Sequence, residues 1–463
     1  MKATSYIFSI VNLFIFVFSF FFKEYDILVY ASIIVSILMV LDKLGRGIVL
    51  REVIALFNSL IYLFMPLMGY LFYTQANPIA ASFVRYMPVS KSTYFDLALP
   101  AVTGFILLLC WPLRSASGDE GAALQSIIDN GKKRLAGNQK IGIVLLILGV
   151  VISFLIPYLP ISLQYVFTLF YFSSFAGLMY IYFCPEFPAK KTIMTLFILF
   201  ILSLALSNGM FTILAYMGMT IFSFVFLNRK VALWKKLIIF SIAVFVLIII
   251  QTVKPDYRRQ VLKTQKENKT SEFFNLAMKR IDNIENLITP DYMWPIYYRT
   301  NQGFYVALVQ KYIPRVKPYD EGANLLVVVA STFVPRFMWA DKPMAGGAAN
   351  MQYYAGYTIK GYTVNIGPLG EAYGSFGVTG GIIFMMVLGA FIRFAYGAVF
   401  RLAGRFPLLV FWLPVLFYQV TYSGENDTLQ ILNSLMKSAF FIWLLYKAFP
   451  QLLMPSKKLI PAN

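Results

Sequence analysis

Long apolar runs, each close to twenty residues, alternate with short polar segments along most of the chain. A run of that length matches the thickness of a hydrocarbon core, and in lipid only a helix satisfies its backbone. Twelve spans are predicted, near residues 5–22, 27–41, 53–75, 94–113, 141–158, 162–184, 192–208, 210–227, 237–253, 376–397, 406–422 and 430–448. The first follows Lys2 directly and carries no small-residue cleavage site, so it reads as a retained helix. The fold class is an all-α polytopic membrane protein. Its parts are residues 1–253 with nine spans, a loop at 254–375, and residues 376–463 with three spans and a tail. Segment 117–131 reads as an interfacial helix, and 258–281 as a charged helical face.

Charge orients this pattern. The short segments 42–52, 131–140, 188–191, 228–236 and 401–405 are basic and fall on one side, together with the C-terminal tail. Basic short loops stay cytoplasmic, so both termini are expected in the cytoplasm and 254–375 outside it. That loop holds fifteen Lys and Arg against ten Asp and Glu. Long loops cross regardless of charge, so its cations need another reason. Within it, the apolar run 325–334 is too short to span and ends at Pro335, which predicts a buried or re-entrant segment.

Composition adds limits. The 463 residues are 59% hydrophobic and 13% charged, with a net charge of +19. The excess is largely explained by helix-flanking cations, so no nucleic acid is expected. There is no histidine, which leaves any acid–base work to Asp, Glu, Tyr or Lys. The two cysteines, Cys110 and Cys184, indicate no disulfide framework.

Three stretches carry candidate chemistry. In "WPIYYRTNQGFYVALVQKYIP" (294–314), Arg299 has the planar fork that grips phosphate oxygens, or else snorkels beside an aromatic belt. In "STFVPRFMWADKPMAGG" (331–347), Arg336 and Lys342 could hold a diphosphate, while Lys342 could equally pair with Asp341. Trp339 could stack on a sugar or anchor at the headgroups. In "NIGPLGEAYGSFGVTGG" (365–381), Glu371 would be desolvated at the membrane edge and fitted for proton transfer, or would cap a helix. Asn365 and Tyr373 flank it as substrate-binding candidates. A weaker feature is "SGENDTLQ" (423–430), where Glu425 and Asp427 are spaced like a metal clamp or form a plain polar loop.

The order "YYRTNQGFYVALVQ", "FVPRFMWADKP", "GPLGEAYGSFGVTGG" resembles the Wzy-type bacterial oligosaccharide repeat-unit polymerases over roughly 290–395. The resemblance implies a GT-C-like inner-membrane glycosyltransferase with one large periplasmic loop between spans nine and ten. Its substrates would be undecaprenyl-diphosphate-linked oligosaccharides, joined into O-antigen, capsule or exopolysaccharide. It implies no metal and no cofactor, and a chain-length-regulating membrane protein as partner. By the resemblance Arg336 and Glu371 are catalytic, and Gly347 completes an Arg-ten residues-Gly spacing from Arg336. Related O-antigen ligases use a histidine, which this chain lacks. A ligase, a lipid-linked-glycan flippase and an export scaffold are the alternatives.

Overall fold

The computed structural model describes residues 2–113, 120–208, 212–229, 231–259, 269–283, 285–286, 289–334, 338–339, 341–343, 346–359 and 364–455. Arg336 lies outside them. Among the described residues the secondary structure is helical, with no strand. Eight helices among the described residues are long and apolar enough to cross a membrane, so the chain is an all-α membrane protein.

The first half comprises α1 (Lys2–Phe21), α2 (Tyr25–Lys43), α3 (Leu50–Leu71), α4 (Lys91–Cys110), the amphipathic α5 (Glu120–Leu135), α6 (Gln139–Leu155) and α7 (Ile161–Phe183). Then follow α8 (Lys190–Asn208), α9 (Thr212–Val225) and α10 (Leu233–Tyr257). Helix α4 sits at the centre, with 78% of its apolar window buried, whereas the windows in Gln139–Tyr158 and in α10 are 22% buried and face outward. Backbones meet closely where side chains are small. Gly149 of α6 abuts Ser174 of α7, and Gly177 abuts the Leu146 amide, the packing that membrane helices use in place of a hydrophobic drive.

The loop is helical too: α11 (Lys269–Asp282), α12 (Pro290–Thr300), α13 (Gly303–Tyr312), α14 (Ala323–Phe333) and α15 (Gly347–Ala355). Residues 303–310 of α13 are all buried. Helix α14 matches the short apolar run read as re-entrant. Helix α16 (Gly367–Arg405) is broken at Gly377, whose φ of 69° and ψ of −159° are open to glycine. The break is a reversal. The Cβ position of Gly381 lies 3.5 Å from the Tyr373 amide, where a straight helix would separate residues eight apart by about 12 Å. Residues 367–376 thus form a half-helix folded back on the span.

The run at 406–422 differs from the continuous span its apolarity predicts. It forms three short pieces, Pro407–Trp412, Leu413–Leu416 and Tyr418–Thr421. Pro407 and Pro414 each lie in the first turn of a piece, where a missing N–H costs nothing. A tight turn, Ser423–Glu425, then leads to α17 (Thr428–Ala448). That turn is inside the bundle: the Tyr62 hydroxyl donates to the Gly424 carbonyl at 2.8 Å. Tyr62 is twelve residues, about 18 Å of helical rise, from the start of α3, within a core about 30 Å thick.

Candidate functional site

The turn before α17 organises the site. Asp427 caps α17, accepting the Gln430 amide at 2.6 Å, and the Gln430 side chain returns to the Asp427 amide at 3.3 Å. The second Asp427 oxygen accepts the Gly346 amide at 2.9 Å, which fixes the start of α15.

Glu371 lies on the half-helix and is 1% exposed. One oxygen accepts the Thr428 amide at 2.9 Å and the other the Asn350 side chain at 2.6 Å. It does cap a helix, but that helix is α17 rather than its own. A group so enclosed is a strut between α15, α16 and α17.

Asn365 bridges the other side. Its amide donates to the Glu425 carbonyl at 2.9 Å and to the Gln430 side chain at 2.8 Å, while its own carbonyl accepts from Gln302 at 2.9 Å. Arg299, at the end of α12, pairs with Glu425 at 2.9 Å. The Arg299 side chain is 53% exposed and that of Glu425 16%, so this pair is the network's open edge. Lys254, near the end of α10, is within Coulombic reach of Arg258, Arg299 and Glu425. Arg299 and Lys254 thus both lie near the Glu425 carboxylate, with Arg258 near Lys254, an excess of positive charge suited to an anionic group.

Gly347 is buried, and a Cβ there would overlap the Val364 carbonyl. Only glycine lets α15 begin against that strand of backbone. Four candidates from sequence, Arg299, Asn365, Gly347 and Glu371, thus join one network. The others lie elsewhere. The Tyr373 hydroxyl is 3.4 Å from that of Tyr319 and 3.3 Å from the Ile313 carbonyl it donates to. Lys342 donates to the Val334 carbonyl at 2.9 Å, at the electronegative end of α14. Trp339 is half-buried near it. Glu425 and Asp427 do not act as a shared clamp, since one pairs with Arg299 and the other caps α17.

Gln302, Asn350, Gln430 and Lys254 are not apparent from sequence as members of one site, and Asp427 reads there only as part of a metal clamp or a polar loop. Their signal was a polar residue beside an apolar run, as in "RTNQG", but nothing local says which backbone amide each will meet.

The architecture defines a class: a helical membrane protein whose polar site is built from folded-back segments within the span. The chain belongs to the DUF8712 family, whose model, described as a domain of unknown function, matches residues 123–454. Neither a curated protein nor a solved structure matches the chain.

Proposed function

We propose that the protein is a Wzy-type oligosaccharide repeat-unit polymerase. In this reading twelve spans with a GT-C-like arrangement lie in a bacterial inner membrane, with both termini cytoplasmic and 254–375 periplasmic. The reading draws its main support from the half-exposed Arg299–Glu425 pair, with Lys254 and Arg258 close by, at the edge of a polar network inside the helix bundle.

The chemistry follows from the charges. The acceptor hydroxyl attacks the anomeric carbon of the donor glycan, and the carbon–oxygen bond to undecaprenyl diphosphate breaks with its electron pair going to the diphosphate. Arg299, Lys254 and Arg258 face that growing charge, which favours the transition state over the ground state. Glu425 accepts the hydroxyl proton. Glu371 positions the ends of α15 and α17. Arg336 keeps the leaving-group role that the resemblance implies.

Purified protein in proteoliposomes, given undecaprenyl-diphosphate-linked repeat units alone, should yield a ladder of longer lipid-linked glycans and free undecaprenyl diphosphate. Units that stay single without a lipid A core acceptor would favour the ligase, and transbilayer movement without extension the flippase.

A further inference from the structure

A cavity of about 490 Å³ lies beside this site, between the end of α3, the start of α4 and the end of α13. The junction of α12 and α13 separates the two: Asn301, two residues from Arg299, contacts the Met87 sulfur at 3.7 Å, and Met87 lines the cavity. The volume suits a small organic ligand.

Its walls combine three chemistries. Tyr70 and Tyr86 contribute aromatic faces, and the Tyr70 hydroxyl is tied to the Val89 and Ser90 carbonyls at 3.1 and 3.2 Å. Gln310 is 5% exposed and donates to the Thr93 carbonyl at 2.9 Å, yet its side-chain oxygen has no partner. That oxygen is itself buried, so Gln310 braces the cavity wall against the start of α4. At the mouth stand Lys311 and Arg315, both exposed, and no acid is among the described residues that line the cavity.

Two tyrosines in the wall suit a sugar ring; two cations at the rim suit a negative charge on it. We propose that this cavity is a binding subsite for an acidic sugar, a uronate residue of the acceptor glycan, with its ring against Tyr70 and Tyr86 and its carboxylate at Lys311 and Arg315. The assignment rests on the glycan-joining reading above and names part of its substrate. A phosphate of the lipid carrier would satisfy the same cations, so the test separates the two.

Saturation-transfer-difference NMR on the purified full chain in detergent, with methyl β-glucuronide and methyl β-glucoside as probes, reads the site directly. The glucuronide should bind about fivefold more tightly than the glucoside, the worth of an ion pair at a solvent-facing rim. A Lys311→Ala, Arg315→Ala double variant should bring the two probes level. Those two positions are exposed, so the double variant is expected to fold, and its elution from size exclusion checks this. Equal binding of the two by the unaltered protein, or an unchanged glucuronide signal in the double variant, overturns the proposal. Pyrophosphate that binds through Lys311 and Arg315 where glucuronide does not would assign the cations to the lipid carrier and also overturn it. Chain extension in proteoliposomes is a separate readout, so a polymerase that ignores glucuronide loses this inference alone.

Discussion

The Glu371 carboxylate accepts the Thr428 amide at 2.9 Å, so an acid on a folded-back half-helix holds the start of another helix within the bundle. Leaving the buried Thr428 amide without its acceptor costs about 1–3 kcal/mol. Glu371→Ala should therefore lower stability by about that amount in detergent, and thermal unfolding of the purified protein measures it. Glu371→Gln, which keeps one acceptor oxygen, should lose less. Equal stability of Glu371→Ala and the parent would remove the strut.

Arg299 makes the opposite case. Its side chain is half-exposed, and exposed ion pairs stabilise by less than about 1 kcal/mol. Arg299→Ala should leave the unfolding midpoint nearly unchanged. It should cut polymer formation by about 10²-fold or more, as loss of one preorganised charge at a leaving group does. Arg299→Lys should restore part of it, because an ammonium supplies the charge without the fork. Full activity in Arg299→Ala would take the leaving group away from this edge.

Gly347→Ala tests the entry of α15. The added methyl meets a backbone carbonyl, Val364, which has no rotamer by which to yield. A loss of about 2 kcal/mol or more is expected, together with reduced activity, since the neighbouring Gly346 amide holds Asp427. Thermal unfolding and the extension assay on the same preparation read both.

At the opposite end of the bundle, Glu120 of α5 pairs with Arg51 at 2.8 Å and Lys43 at 2.9 Å. Burial pushes its carboxyl up, but Arg51 and then Lys43 outweigh that and hold it at about 2, against an ordinary 4.5. The folded value is depressed, so the contribution is fully present above pH 4.5 and is lost as pH falls toward 2. Its size is on the order of 3 kcal/mol. The unfolding midpoint of the parent should fall through this window. Glu120→Gln should start lower at neutral pH and show a flatter decline; a decline as steep as the parent's would contradict the pairing.

The helices were legible because membrane burial leaves a long, one-sided composition signal, and 325–334 announced its shortness directly. The three stretches around Arg299, Arg336 and Glu371 were legible as chemistry out of place. The break at Gly377 was not, since one more glycine in the glycine-rich run 367–381 reads equally as close packing. Nor was the broken run at 407–421: its apolar residues satisfy the test for a span, and only Pro407 and Pro414 hint at separate pieces. The turn at 423–427 looked like a plain polar loop. Its importance arises from depth, because a backbone amide inside the bundle has no water to meet and must find Glu371 or an equivalent.

The most direct test of the central claim is analysis of lipid-linked oligosaccharides in cells from which this protein has been deleted. The account predicts single repeat units accumulated on undecaprenyl diphosphate at the outer face of the membrane, with polymer absent. Polymer of normal length in those cells, or single units confined to the cytoplasmic face, would contradict it.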